Sequence, residues 1–193
     1  IVAQLAKRSG ATVIGVDPLA DRRRLATDLG AVDVALDPAA GGVAEAIKAR
    51  TDGRGADVSI EVSGVAAALH EAIRATAYSA RVVALGFFQG TPTGLALGDE
   101  FHHNRVSLIS SQISGVAPEQ SYRWDKPRLA RTVMELQADG TLNLRPLVSH
   151  VLPFADAAAA FAMLDTAPES ALQVVLATEA ATEASVARTG GAA

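Results

Sequence analysis

The chain has 193 residues, of which 49% are hydrophobic and 20% charged, so it is long enough for one substantial core or for one domain with part of another. Its net charge of −4 argues against a nucleic-acid partner, because phosphate contacts need clustered Lys and Arg. The chain contains no cysteine, which excludes disulfides and thiolate zinc ligands within it, and no apolar run is long enough to span a membrane.

Short β-branched runs alternate with helical patterns along the chain, which is typical of a doubly wound parallel α/β sheet. In chain order we predict a helix-like piece over 1–10, a strand over 12–16, a helix over 21–29, a strand over 31–36, a helix over 43–51, a strand over 56–62, a helix over 66–75, strands over 81–88 and 106–113, and a helix over 129–138.

The rhythm changes after Gly140. A strand over 147–152, a helix over 155–164 and a strand over 172–176 form a β-α-β return that need not belong to the same sheet. We therefore predict one domain over residues 1–140 and a separate segment over 141–176. Residues 177–193 have no apolar periodicity beyond scattered alanines, and we expect them to be disordered.

Asp17 follows the first predicted strand directly. The strand over 12–16 corresponds to the second strand of a doubly wound sheet. An acid at the tip of that second strand can accept hydrogen bonds from both ribose hydroxyls of the adenosine of NAD, and its charge would repel the 2′-phosphate of NADP. This pattern points to NAD as the cofactor. The alternative is that Asp17 and Pro18 only start the next helix, since Asp favours helix caps and Pro favours first turns.

Three consecutive arginines follow at positions 22 to 24. One of them could reach the adenine or a phosphate, and together they could tolerate NADP, so NADP is not excluded. The alternative is a solvated helix face that pairs with Asp21 and Asp28, and we favour that role for two of the three arginines.

In a doubly wound fold, a first strand and its glycine-rich turn come before such an acid. Neither is found ahead of Asp17, and the chain opens on Ile1 rather than on methionine. We therefore expect the sequence to be a fragment that begins inside or just before the first helix. Because the absent strand would be central to the sheet, we expect the isolated chain to be unstable or to bind dinucleotide poorly.

Ser63, Gly64 and Gly86 come where two neighbouring strands end, at the edge where open α/β sheets bind ligands. Small residues are also common in such loops for structural reasons. His102 and His103 are adjacent in the chain and cannot easily share a metal ion, so no metal site is predicted. No catalytic residue is assigned within the chain.

Residues 1–176 resemble the medium-chain dehydrogenase/reductase superfamily, in particular its zinc-type alcohol dehydrogenase-like members. The order and spacing of the matching blocks are more specific than any single motif. These blocks are IVAQLAKRSGATVIGVDPLADRRRLATDLGA, GRGADVSIEVSG, ARVVALGFFQG, EFHHNRVSLISSQISG, RPLVSHVLPFADAAAAFAMLD and ALQVVL.

The resemblance implies a Rossmann domain that binds NAD in an oxidoreductase, which transfers hydride between the nicotinamide and a small alcohol or carbonyl substrate. Residues 141–176 would return to the catalytic domain, whose zinc ligands and proton relay belong to a part that is not in this sequence. We expect the fragment alone to be inactive, and the full-length parent to be cytoplasmic and homo-oligomeric. Zinc is implied only for that parent.

The resemblance also implies the positions of the cofactor contacts, which lie in the loops after four predicted strands. These residues are Asp17, Arg22, Val62, Ser63, Leu85, Gly86, Phe87, Ser111, Gln112 and Ile113. Two other functions share these features: a non-catalytic dinucleotide-binding module and a zinc-free quinone-reductase-like enzyme. A methyltransferase also places an acid after its second strand, but the segment after Gly140 argues against that class.

Overall fold

The computed structural model describes residues 1–178, and within them the helices and strands alternate as the sequence predicts. The elements are α1 Val2–Arg8, β1 Ile14–Val16, α2 Ala20–Asp28, β2 Val34–Leu36, α3 Val43–Ala49, β3 Ala56–Glu61, α4 Ala66–Ala75, β4 Thr76–Ala84, β5 Ser107–Ser110, α5 Lys126–Ala138, β6 Val148–Pro153, α6 Ala157–Thr166 and β7 Gln173–Ala177. An irregular helical segment, Leu97–Phe101, precedes β5.

All strand pairs are parallel, which confirms the predicted α/β class. β1 pairs with β2, β3 and β5 flank β4, and β6 pairs with β7. Among the described residues, β1 and β3 make no ladder with one another. Both nevertheless pack on α3, because Ile14 of β1 and Ala56 of β3 contact the same buried cluster.

β4 differs most from its predicted range of 81–88. It starts at Thr76, directly after α4, because the fully buried Thr76 hydroxyl lies 2.6 Å from the carbonyl oxygen of Ala72 and 2.7 Å from the hydroxyl of Ser59 in β3. It ends at Ala84, after which the N–H groups of Leu85 and Gly86 both donate to the carbonyl oxygen of Glu61.

Two apolar clusters form the core beneath these strands. The first contains Val43, Ala44 and Ile47 of α3 together with Ala75 at the end of α4. The second joins α4 to β4 and to the residue before β5, and its buried members are Leu69, Ile73, Val82 and Val106. Burial of these side chains fixes where the strands end, and hence where the loops that follow them lie.

A charged pair ties α1 to the turn before β2. The Lys7 ammonium lies 2.6 Å from a carboxylate oxygen of Asp33, and the second carboxylate oxygen accepts the N–H of Val13 at 2.7 Å. The bond from Lys7 and then the bond from Val13 hold the pKa of Asp33 below its usual value. The pair therefore stabilises the fold least at acidic pH, once Asp33 is protonated.

The described residues fall into two compact units, one over Val2–Val133 and the other from Met134 onward. The division lies inside α5, a few residues before the predicted boundary at 140, and the predicted domain limits stay a prediction. In the second unit, α6 connects the parallel strands β6 and β7. Ala177 ends β7, so nearly all of the predicted tail, residues 179–193, lies outside the described residues.

Within residues 1–178, no helix combines the length and the apolar composition that a membrane span requires.

Replacing Ile73 by alanine tests the second cluster. Its side chain is 1% exposed among Leu69, Val82 and Val106, so we expect Ile73→Ala to lower the free energy of unfolding by about 2–5 kcal/mol. The control is Leu129→Ala, in a helix but 41% exposed, which should cost about 1 kcal/mol or less. Urea unfolding followed by circular dichroism measures both, and equal losses would place Ile73 outside the core.

Candidate functional site

The residues predicted to hold a cofactor lie at the carboxyl ends of parallel strands, in two groups within the unit Val2–Val133. The first group follows β1 and contains Asp17 and Arg22. The second follows β3, β4 and β5, where Glu61, Ala84 and Ser110 are in register. Because the strands are parallel, the loops after them emerge at the same edge of each sheet. The second group consists of Val62, Ser63, Leu85, Gly86, Phe87, Ser111, Gln112 and Ile113.

Asp17 starts the helix after β1 and also keeps one oxygen available. Its Oδ1 accepts the N–H of Leu19 at 2.8 Å, a local turn that begins α2. No other residue among the described 1–178 donates to its Oδ2. The side chain is half-buried. Asp17 forms this turn but does not cap α2, whose N-cap residue is Leu19 without a side-chain cap bond. The turn and a ribose contact are compatible, because they would use different oxygens of one carboxylate.

The arginines of α2 have different surroundings. Arg23 donates from Nη1 to the carbonyl oxygen of Asp17 at 2.6 Å, and from Nη2 to Oδ2 of Asp37 at 2.8 Å. Arg24 pairs with Asp21 on the exposed face of the helix, 3.0 Å apart, as the alternative reading predicts. Arg22 is half-buried on the same helix.

Asp37 lies beside the first group of predicted residues and was not predicted from the sequence, whereas Arg23 is one of the three arginines considered there. Asp37 follows β2 as Asp17 follows β1, and both are followed by proline. Asp37 also makes the same kind of turn, since its Oδ1 accepts the N–H of Ala39 at 2.9 Å. The repeated Asp-Pro after neighbouring strands was the signal that could have located it.

Glu61 is the second missed residue, and it organises the other group of loops. Although it is a carboxylate, it is only 4% exposed. Its Oε1 accepts the N–H of Ser63 at 2.6 Å, the N–H of Gly64 at 3.1 Å and the hydroxyl of Ser63. Its carbonyl oxygen accepts the N–H groups of Leu85 at 2.8 Å and of Gly86 at 3.1 Å. One residue thus fixes the loops after β3 and β4.

The signal for Glu61 was a charged residue at the end of an otherwise strand-like run, ADVSIEV. Charged side chains are rarely buried without partners. Such a position therefore indicates local donors, here the backbone of the loop that follows.

Glycines allow these two loops to touch. A Cβ on Gly86 would lie 2.2 Å from the nitrogen of Gly64 and 2.7 Å from Oε2 of Glu61. A Cβ on Gly64 would lie 2.3 Å from the carbonyl oxygen of Phe87, and Gly64 has φ of +73°. The close approach that requires glycine here is between the two loops, and a further approach of Gly86 to a cofactor stays a prediction.

The second group presents unusually exposed apolar side chains. Phe87 is 83% exposed and Ile113 is 91% exposed, while Val62 and Leu85 are exposed to a lesser degree. The backbone beneath them is ordered by hydrogen bonds, among them the bond from the N–H of Ser111 to the carbonyl oxygen of Ala84 at 2.9 Å. An apolar surface on a fixed backbone suits a ligand with a flat apolar ring and polar substituents.

Histidine and acidic side chains do not gather into a metal site in the part of the chain that the structure describes. The rings of His102 and His103 meet edge to face with 78° between their planes, and His103 Nδ1 lies 3.0 Å from the carbonyl oxygen of Asp99.

A cavity lies at the opposite, amino-terminal end of the central strands. Its lining includes Lys48, Arg54, Asp57 and Tyr78. Arg54 pairs with Asp57, and Lys48 lies 3.9 Å from a carboxylate oxygen of Glu100. Since its cations already have partners and ligands of parallel α/β sheets bind at the carboxyl ends of the strands, this cavity is not the candidate site.

Comparison with known families and structures agrees with this geometry. Residues 1–131 match the family model described as zinc-binding dehydrogenase. A crystal structure of an NAD-dependent alcohol dehydrogenase superposes with a TM-score of 0.73 at 26% identity, covering 90% of this chain and 46% of that one. The fold is therefore that of a Rossmann-type dehydrogenase domain.

Two relatives in sequence are also dehydrogenases. D-guloside 3-dehydrogenase of Escherichia coli is 37% identical over 176 residues, which are 90% of this chain and 50% of that protein. L-threonine 3-dehydrogenase of Pyrococcus horikoshii is 33% identical over 148 residues, 76% of this chain and 39% of that protein. The chain thus spans about half the length of the relatives it matches, or less.

Replacing Gly86 by alanine tests the contact between the loops. The added Cβ would collide with backbone at Gly64, so we expect Gly86→Ala to lower the free energy of unfolding by about 1–3 kcal/mol. Gly115→Ala is the matched control, because a Cβ there meets nothing within 4 Å. Melting temperatures compare the two variants, and an equal effect would contradict the packing described here.

Replacing Glu61 by glutamine tests the role of its carboxylate. The side-chain amide keeps one oxygen that can accept the N–H of Ser63, but it is uncharged and places an NH2 group where Oε2 accepts the N–H of Gly64 at 3.1 Å, so Glu61→Gln should cost about 1–3 kcal/mol. Hydrogen exchange of these two amides should accelerate. Glu119→Gln, at an exposed position in the turn Pro118–Gln120, is the control. Unchanged protection of both amides would show that the carboxylate does not hold the loop.

Proposed function

This chain belongs to the zinc-binding dehydrogenase family, and from that premise we propose that it forms the part of an oxidoreductase that binds NAD. When bound, NAD accepts a hydride from an alcohol carbon, or as NADH returns it to a carbonyl carbon. The residues described here bind and orient this cofactor. The 193-residue chain by itself is expected not to oxidise alcohols, because the relatives that carry this activity are about twice as long.

The observation that carries the proposal is that the two carboxylate oxygens of Asp17 have different surroundings. Oδ1 is occupied by the turn that begins α2, whereas Oδ2 accepts nothing from residues 1–178. Asp17 lies at the tip of β1, in the place where a doubly wound sheet holds the adenosine ribose. The ribose hydroxyls would donate to Asp17, and its charge would repel a 2′-phosphate, which favours NAD over NADP. Arg22, half-buried on α2, is proposed as the nearby basic contact.

The second group of loops would hold the nicotinamide. A carboxamide has one acceptor and two hydrogen donors, which backbone groups of Leu85, Gly86 and Phe87 can match. Glu61 holds this backbone through the N–H groups of Leu85 and Gly86. The remaining residues of the group would cover the ring and the sugar next to it; they are Val62, Ser63, Ser111, Gln112 and Ile113.

The chemistry that we propose for these residues does not use zinc. The chain has no cysteine, and in the described part of the chain no three histidine or acidic side chains come together. The residues at hand do not fit a zinc site, so no step assigned to them involves a metal ion.

The substrate is proposed to be a small hydroxylated molecule or the matching carbonyl compound, because the relatives are named for a guloside and for threonine. We also propose a cytoplasmic homo-oligomer. The side chains of Leu108 and Ile109 on β5 are each more than 40% exposed, and β5 pairs with β4 alone among the described strands. An exposed strand edge of this kind supports association with another chain.

Replacing Asp17 by alanine tests the proposed ribose contact. In the protein expressed at its natural length, Asp17→Ala should raise the Kd for NADH by about tenfold to a hundredfold, because hydrogen bonds to a charged group contribute about 1.5–3 kcal/mol. It should also reduce the preference for NADH over NADPH. Fluorescence titration measures both constants.

The control for this titration is Asp28→Ala, since Asp28 is an exposed acid at the end of the same helix. It should leave both constants unchanged. An unchanged Kd in Asp17→Ala would remove Asp17 from the site, and a wild-type protein that binds neither dinucleotide would refute the proposed function.

A further inference from the structure

We propose that Asp37 is a positioning residue that sets the preference for NAD over NADP by keeping the Arg23 guanidinium paired with its own carboxylate. This inference rests on the proposed function, since it concerns the same adenosine end of the cofactor. The observation behind it is a chain of two hydrogen bonds, which runs from Asp37 through Arg23 to the backbone carbonyl of Asp17.

Both Nη atoms of Arg23 have partners. Nη1 donates to the carbonyl oxygen of Asp17 at 2.6 Å, and Nη2 donates to Oδ2 of Asp37 at 2.8 Å. The Arg23 side chain is 18% exposed. The Asp37 side chain is 37% exposed. A mostly buried guanidinium with a carboxylate partner is held more firmly than the guanidinium of a surface pair, because it does not recover full solvation by leaving that partner.

Asp37 is itself held in place. Its Oδ1 accepts the N–H of Ala39 at 2.9 Å and so caps the turn Pro38–Ala40, while Oδ2 is directed to Arg23. β2 places Asp37 beside Asp17, because Val16 and Leu36, the residues before them, are partners in the parallel ladder. The two acids therefore lie at the ends of adjacent strands, with Arg23 in contact with both residues.

This arrangement bears on the 2′-phosphate of NADP. That phosphate would replace the ribose hydroxyl that donates to Asp17, and it would need a cation to offset the carboxylate. Arg23 contacts Asp17 directly, but Asp37 already neutralises its charge. Removing the charge of Asp37 would leave Nη2 of Arg23 able to pair with the phosphate, without altering the carboxylate of Asp17.

Arg24 offers a matched comparison on the same helix. It pairs with Asp21 at 3.0 Å, and the two side chains are 71% and 84% exposed. An exposed pair of this kind contributes little, and its arginine can already leave its partner at small cost. Removing the charge of Asp21 should therefore not change cofactor preference, whereas removing that of Asp37 should.

The experiment is a fluorescence titration of the natural-length protein with NADH and with NADPH. Asp37→Asn keeps an acceptor for the N–H of Ala39 and loses the charge. We expect its Kd for NADPH to fall about tenfold, as a newly available charge-assisted bond implies. The Kd for NADH should stay within about threefold, because Asp17 is intact.

Two further variants complete the test. The double variant Asp37→Asn with Arg23→Ala should lose the gain in NADPH affinity, since the gain requires the guanidinium. Asp21→Asn should leave both constants unchanged. Should Asp37→Asn lower the melting temperature too far for titration, Asp37→Ser replaces it, because serine is also a good capping residue.

The outcomes separate the two hypotheses. A wild-type protein that binds neither dinucleotide refutes the proposed function. A wild type that binds NADH, with unchanged NADPH affinity in the Asp37 variant, overturns the role of Asp37 alone. Equal weakening of both dinucleotides in that variant, or a gain that persists in the double variant, also overturns it. A gain in NADPH affinity that depends on Arg23 supports it.

Discussion

Glu61 places a carboxylate at the buried end of β3, where a charge costs free energy unless hydrogen bonds offset the lost hydration. The offset comes from the N–H groups of Ser63 and Gly64 and from the Ser63 hydroxyl, while the carbonyl oxygen of Glu61 receives the loop after β4. The two loops approach so closely that Gly86 has no room for a Cβ. The backbone proposed to meet the nicotinamide thus depends on one buried acid.

The adenosine end of the candidate site uses acids in another way. In Asp17 and in Asp37, one carboxylate oxygen accepts a backbone N–H in a local turn, and the second oxygen is left for another partner. For Asp37 that partner is Arg23. For Asp17 we propose the ribose. A carboxylate that holds a local turn is therefore not excluded from binding, because its second oxygen can accept a bond from another partner.

Different interactions determine the structure at the two ends of the candidate site. Around Glu61, close packing of backbone and buried hydrogen bonds determine the loop conformation, so variants there should act first on stability. Around Asp17 and Asp37, the groups are half-buried and charged, so variants there should act on the choice of dinucleotide more than on folding. Stability and cofactor preference can therefore be changed separately in this unit.

The sequence by itself determined the α/β class, the parallel arrangement and most elements, because hydrophobic periodicity and β-branched runs report burial directly; helix α4 lies at its predicted bounds. It also placed Asp17 at a strand tip. Only the tertiary structure decided that β4 starts at Thr76, that Glu61 joins two loops, and that Arg23 rather than Arg22 contacts the Asp17 backbone. Those features depend on which backbone groups of distant segments meet, and local sequence does not encode such contacts.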